Sequence, residues 1–392
     1  MRVNFSIFKI KDTLTAYFTF AVLVFIVGFL LLPTSKMVNN TFYAFLAFPA
    51  LIVISVRIKQ LRAPSAIEWG WVALLAFCSI GGAVSGDWQY FKHILYVALF
   101  LLVVGLLVSP WLFRSACFSR GLFWVLLCYV LLSAIYYWIS GRYAVGERVL
   151  WLPGRMTGPI YTSIWMACCT ALVLPAWLRE RRWLEMAAGL FFVVFCISYV
   201  LQSRSGLVGL FVLFALWGGW ALAKNYRRVL EVFIVLALCA LASWLAASVF
   251  PEISRLFARA DSGRFELWSL LLGEWKQCGI LMGCGVEYVS KATLRGGQPI
   301  QHPHNIYLAL GLYNGLVALA AFLLVMSITL SRAWKQRDPW GLYLFTALVS
   351  LNFDGSQLIG NPDELWLLVL LPAALIANPH RVRPERDADV LI

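Results

Sequence analysis

The sequence predicts an all-α, polytopic membrane protein with about twelve transmembrane helices and one large loop on the extracytoplasmic side. Composition is the first observation behind this. The chain of 392 residues is 61% hydrophobic and only 13% charged, with mean hydropathy +0.80, about half the charge of an ordinary soluble protein. No soluble core could hide this much apolar surface, so lipid must solvate it. The second observation is that the apolar residues fall in runs of roughly 15–25, the length that crosses a bilayer as helix. The third is the placement of Lys and Arg, which alternates from one loop to the next.

The runs lie at 14–32, 38–56, 67–84, 93–110, 121–140, 159–178, 184–202, 206–223, 229–249, 305–330, 340–358 and 363–377. The run 67–84 holds Gly81-Gly82, and 340–358 ends in polar Asn352 and Asp354. No small-residue cleavage site follows the first run, so it reads as a retained signal anchor. With the N-terminus in the cytoplasm, most basic residues fall on that side, among them Lys9, Lys11, Arg57, Arg62, Arg114, Arg120, Arg181, Arg182, Arg227, Arg228, Arg332 and Arg337. Both termini are then cytoplasmic. The +13 net charge is mostly topology, and with no basic domain or recognition motif it does not point to nucleic acid.

This divides the chain into residues 1–249 with nine helices, an extracytoplasmic loop 250–304 with short amphipathic helices, and residues 305–392 with three helices and a cytoplasmic tail. The loop, without an apolar core of its own, is expected to pack on the helix bundle. Of the nine cysteines, Cys168-Cys169 sit in an apolar run and read as packing. Cys278 and Cys284 share the loop, and their pairing is left open. No Cys/His spacing resembles a zinc site.

Chemistry is sought where polar residues run against the pattern. Glu68, Glu185 and Glu231 lie near cytoplasmic helix ends, so no mid-span carboxylate chain supports a proton-coupled transporter. Arg204, in Gln202-Ser203-Arg204-Ser205-Gly206, stands in a tight extracytoplasmic turn. It is either an anchor snorkelling to headgroups or a ligand-binding cation. Arg264 stands in Asp261-Ser262-Gly263-Arg264-Phe265-Glu266-Leu267-Trp268. There Asp261 or Ser262 can cap a helix, and Phe265, Trp268, Leu272 and Trp275 recur on one face. Such a helix would lie along the membrane surface. An arginine in its first turn, beside free N–H groups, makes a good phosphate site; the plain alternative is a solvated charge. Gly283-Cys284-Gly285 reads as a turn, lacking the strand and lysine of a nucleotide loop.

Two of the four histidines stand in Gln301-His302-Pro303-His304-Asn305, where a membrane run begins. Pro303 keeps His302 extended and can start the next helix, which leaves His304 at its mouth. An imidazole there is a general base near neutral pH or a structural cap. Two histidines one residue apart also suggest a metal, but no third ligand is evident nearby.

In these residues the chain resembles the superfamily of O-antigen ligases and polymerases, which transfer lipid-linked oligosaccharides. The resemblance rests on Arg204-Ser205-Gly206 between two helices, Gly263-Arg264 with Trp268 in the loop, and His304-Asn305 followed nine residues later by Gly315. Ala318 departs from the ligase pattern three positions on. The resemblance implies a GT-C-like membrane fold in the bacterial inner membrane, with its active site facing the periplasm. It implies as substrates O-antigen on undecaprenyl pyrophosphate and lipid A–core oligosaccharide, with transfer that is inverting and needs no metal, cofactor or ATP. Arg204 and Arg264 would hold the pyrophosphate, and His304 would take the acceptor's proton. Arg142, Arg148 and Arg155 form a basic loop that can meet the phosphates of lipid A or core sugars, or is ordinary surface charge. His302, Asn305 and Asp354 are further substrate-binding candidates. Asp354 and Asp363 could instead orient a base, and His302 could support or replace His304.

Rival readings are an O-antigen polymerase, with a lipid-linked chain as acceptor, and a protein O-oligosaccharyltransferase, disfavoured by the short stretch after the last run. From another class, a lipid flippase or transporter predicts repeated halves, which the sequence lacks.

Overall fold

Apolar runs become helices because every backbone N–H and C=O must find its partner inside the segment when lipid surrounds it. The computed structural model describes residues 4–57, 64–156, 158–224, 263–294, 298–300 and 302–378. The long helices are α1 (Asn4–Leu31), α4 (Ala66–Ser85), α7 (Ala116–Ile139), α8 (Pro159–Arg179), α10 (Arg204–Lys224) and α12 (Ile306–Gln336). A second span, Ser35–Val56, is built from α2 (Ser35–Phe42) and α3 (Phe48–Arg57) joined by a π turn. The helices α5 (Trp88–Leu102) and α9 (Trp183–Phe195) also run on into π turns, which end at Leu107 and Val200. Short helices complete the set: α6 (Pro110–Arg114), α11 (Arg264–Cys278), α13 (Trp340–Ser350) and α14 (Leu371–Ala377), the last preceded by a π turn, Trp366–Leu370. A two-residue antiparallel ladder, Thr293–Leu294 with Gln298–Pro299, is the one departure from helix among the described residues.

Eight helices are long and apolar enough to cross a membrane, and three shorter apolar helices accompany them, among the described residues. The protein is a multi-pass membrane protein. These helices account for eleven of the twelve expected runs; the twelfth, 229–249, lies outside the described residues. At the bundle's centre is α8, whose side chains are buried on all faces, as a helix apolar all round must be. It packs on α7, α10 and α13. Outer helices turn large side chains outward, such as Phe20, Leu132, Leu184, Phe191 and Phe211, the face that lipid solvates.

The run 305–330 is not one straight span. Gly315 breaks α12 with φ 85° and ψ 174°. Tyr307 and Phe322 bring their ring centroids to 6.3 Å; in a straight helix they would stand about 22 Å apart along the axis. Residues 306–314 therefore run back along the segment that follows, and the two arms form a helical hairpin with Gly315 at the apex. A Cβ on Gly315 would meet the Leu281 carbonyl oxygen at 2.0 Å, so only glycine permits both the left-handed φ and the close approach.

The loop closes on that apex. Cys278 and Cys284 are joined in a disulfide, fixing the turn after α11. The Leu316 N–H donates to the Ile280 carbonyl at 2.9 Å, and the Cys284 N–H donates to the Leu312 carbonyl at 2.6 Å. The turn thus completes hydrogen bonds that the broken helix leaves open. Leu267, Leu271 and Trp275 of α11 pack with Ile300, Leu308, Ala309, Leu312 and Tyr313 in a small separate core. The described part of the loop packs on the bundle and shares an apolar core with the hairpin's first arm. The helix α11 has two apolar stripes. Phe265 and Leu272 of the expected face are exposed, whereas Trp275 joins Leu267 and Leu271 in a stripe that faces the hairpin.

Candidate active site

Three turns converge on the mouth of the bundle. The first joins α9 to α10. There Gln202 adopts φ 45°, and its side-chain amide donates to the Gly146 carbonyl at 2.9 Å. The Ser163 and Ser203 hydroxyls share a 2.6 Å hydrogen bond. Gly206 lets α10 reach α8, since a Cβ there would meet Ser163 Cβ at 2.6 Å. This turn sets Arg204 at the first residue of α10.

The second turn starts α12. Asn305 is its N-cap, and its side-chain oxygen accepts from the N–H groups of Tyr307 and Leu308 at 2.9 and 3.0 Å. Satisfying these otherwise orphaned donors is what Asn does well in this position. Asn305 therefore serves the helix end, and Pro303 stands before the cap rather than inside the helix. Capping by Asn305 frees His304 from that work. His304 has φ 50°, a left-handed conformation uncommon for a residue with a Cβ and one that concentrates at functional sites.

The third turn is the strap 351–365 after α13. Asp354 is 4% exposed. Its Oδ1 lies 2.9 Å from His304 Nδ1 and also accepts the Gly355 N–H at 2.9 Å. A carboxylate on Nδ1 fixes the ring and leaves Nε2 as the basic nitrogen. His302 lies against it, with ring centroids 3.9 Å apart and the planes tilted 45°. Burial lowers the His302 pKa below the ordinary histidine value, and His304 lowers it further against the pull of Asp354.

Arg264, on the first residue of α11, joins this group. Burial weakens the guanidinium's hold on its proton, Asp354 strengthens it, and the neighbouring Arg204 weakens it again. Arginine keeps its charge through such changes, so two cations and one buried carboxylate face a shared space. The indole N–H of Trp268 donates to the Pro303 carbonyl at 3.1 Å, tying α11 to the histidine turn. The dyad is recessed. Ser350 packs level with Gly209, five residues into α10, and the Ile306 N–H donates to the Leu351 carbonyl at 3.0 Å. At 1.5 Å per residue, that junction lies roughly 8 Å below the end of α10.

The structure thus brings together His304, His302, Asp354, Arg264 and Arg204. The basic loop is placed differently. Arg142 lies over the Tyr137 ring at 4.8 Å. Arg148 donates from Nε to the Leu201 carbonyl at 2.9 Å, which braces the turn bearing Arg204. Arg155 pairs with Glu364 at 2.5 Å, joining this loop to the far end of the strap. Sequence reasoning passed over Glu364 and Phe353. Their signal was an acidic pair, Asp363-Glu364, and a lone aromatic between Asn352 and Asp354, all at the ends of apolar runs.

His302, His304 and Asp354 place ligand atoms within 4.8 Å of one another, so Asp354 is the third candidate metal ligand that the sequence hid. In the structure, however, His304 Nδ1 and Asp354 Oδ1 are hydrogen-bonded to each other, so Asp354 acts on the imidazole and leaves Nε2 facing outward. That arrangement is the one by which a carboxylate orients a histidine base.

The family model described as O-antigen ligase matches residues 189–323, the stretch that holds Arg204, Arg264, His302 and His304. An O-antigen ligase of Pseudomonas aeruginosa is 24% identical over 360 residues, covering 86% of this chain and 84% of that protein. The resemblance carried by Arg204, Arg264 and His304-Asn305 is thus met by two independent likenesses: over this stretch the chain is similar to the O-antigen ligase family.

Proposed function

We propose that the protein is a membrane glycosyltransferase that moves O-antigen from undecaprenyl pyrophosphate to lipid A–core oligosaccharide, on the periplasmic side of the bacterial inner membrane. The observation that carries this reading is the His304–Asp354 pair at 2.9 Å beside Arg264 and Arg204. The family match and the Pseudomonas aeruginosa relative support the transfer of O-antigen.

In the proposed step, an acceptor hydroxyl gives its proton to His304 Nε2 while its oxygen attacks the anomeric carbon. The carbon–oxygen bond to pyrophosphate breaks, and the electron pair leaves with the phosphate oxygen. Arg264 and Arg204 meet that developing charge, the transition-state feature on which fixed cations act most strongly. Asp354 holds the imidazole and stabilises it as it becomes charged, the part a carboxylate plays for a histidine base. Attack opposite the leaving group inverts the anomeric centre. The arginines take the place a divalent metal would hold on the pyrophosphate, and the lipid-linked donor supplies the driving force.

The test uses purified protein in lipid nanodiscs with lipid-linked O-antigen. Either lipid A–core or a second lipid-linked chain is offered as acceptor. Product on lipid A–core is the expected result. Lengthening of the lipid-linked chain would make the protein a polymerase, and activity abolished by a chelator would overturn the metal-free step.

A further inference from the structure

Two large side chains at the site have no part in the chemistry above. Trp268 stands one turn after Arg264 on α11, so the two share a face, and its N–H fixes the ring against Pro303, between the two histidines. Phe353 immediately precedes Asp354. The two ring centroids are 6.5 Å apart with the planes tilted 39°, and both rings are half-buried. Trp268 touches the small core beneath α11 along one edge. Phe353 sits on a polar strap, Asn352 to Gln357, and belongs to none of the apolar clusters among the described residues.

An aromatic ring on such a strap calls for a partner with a flat apolar face and a polar rim. A pyranose is that shape: its axial C–H groups form an apolar face, and its hydroxyls form the rim. Transfer also requires one sugar to lie between the leaving phosphate and the base, with its anomeric carbon on that line. Trp268 and Phe353 flank that line, one rooted beside Arg264 and the other beside Asp354. The isoprenoid chain leaves the phosphates on the opposite side, toward the bilayer. There Phe265, 68% exposed, extends the aromatic row outward, edge-on to Trp268 at 5.7 Å.

We propose that Trp268 and Phe353 form a stacking subsite for the first sugar of the donor, the one whose anomeric carbon is attacked. This rests on the donor reading above. The subsite selects a hexose-class ring with an apolar face and sets its depth against His304.

The experiment compares full-length variants in nanodiscs with two probes. One is the lipid-linked glycan donor; the other is polyprenyl pyrophosphate without sugar, used as an inhibitor. Trp268→Ala and Phe353→Ala should each raise the donor KM about tenfold, the loss expected for one good aromatic contact. Inhibition by the sugar-free lipid should stay within about twofold of the parent. Phe353→Leu keeps bulk without a ring and should lose affinity as alanine does, whereas Phe353→Tyr should retain it. Trp268→Phe drops the N–H but keeps a ring, and should retain most donor affinity. Thermal melting of each variant checks that the fold is intact. An unchanged donor KM overturns the subsite. Equal loss of donor and sugar-free lipid also overturns it, showing an isoprenoid contact or a displaced α11. A parent protein insensitive to the sugar-free lipid would overturn the donor reading instead.

Discussion

His304 holds a left-handed backbone, a buried carboxylate partner and a neighbouring imidazole, and each has a consequence at the scale of one residue. Replacing His304 with alanine removes the base and should lower kcat by roughly 10²–10⁴, the range for a lost general base, with the donor KM little changed. Asp354→Asn keeps the size but supplies no charge to a forming imidazolium. It should lower kcat in steady-state transfer assays without removing lipid-linked donor binding. His302 makes a separate, pH-dependent prediction. Its folded-state pKa is depressed by burial and by His304, so the unfolded chain binds that proton more readily. The stability it contributes is complete above the ordinary histidine value of about 6.5 and is lost as pH falls through the folded value. Melting temperature in detergent should drop on the acid side, and His302→Gln should flatten that drop. The sequence showed which residue types mattered here: Arg204, Arg264 and His304 all stand where charge or imidazole ran against an apolar pattern. It did not show that His304 and Asp354 pair, because fifty positions of chain separate them and no local periodicity links them.

At the scale of elements, the site depends on how the strap and the hairpin are held. Arg155 and Glu364 connect the loop before α8 with the strap that carries Asp354. Their side chains are 22% and 9% exposed, so removing one partner leaves a largely desolvated charge. Arg155→Ala and Glu364→Gln should each destabilise the protein, and a double-mutant cycle on thermal stability should return a coupling of about 1–3 kcal/mol. A coupling near zero would return Arg155 to the substrate-binding role its sequence position suggested. Gly315→Ala meets both a backbone clash and a left-handed φ. It should cost at least about 2 kcal/mol and lower transfer with it, read as reduced melting temperature and yield. Hydropathy could not show the reversal at this glycine, since both arms of the hairpin are equally apolar. The second stripe of α11 went unread for a related reason. A helix with tryptophan, phenylalanine and leucine on two sides offers two stripes, and only the hairpin's position selects Leu267-Leu271-Trp275.

For the molecule as a whole, membrane character was readable from composition alone, because lipid imposes one requirement on every segment. The number of crossings was not, since a folded-back segment such as 306–314 satisfies the same apolar test without crossing, and a helix as short as α13 falls below the usual spanning length. The proposed orientation can be measured directly. A cysteine placed at Val289, which is 76% exposed, should react in intact spheroplasts with a thiol reagent that cannot cross the membrane. One placed at Gln336, at the far end of α12, should react only after lysis. The reverse pattern would place the site in the cytoplasm. The disulfide-closed turn on the hairpin apex also carries a consequence for biogenesis. Ile280 precedes Leu316 in the chain, so in this orientation the acceptor for the apex N–H is exported before the hairpin that needs it. The growing chain then meets a ready-made cap, and the arm bearing His304 can fold back as soon as it emerges. One contact between that turn and the hairpin therefore sets Arg264 against His304.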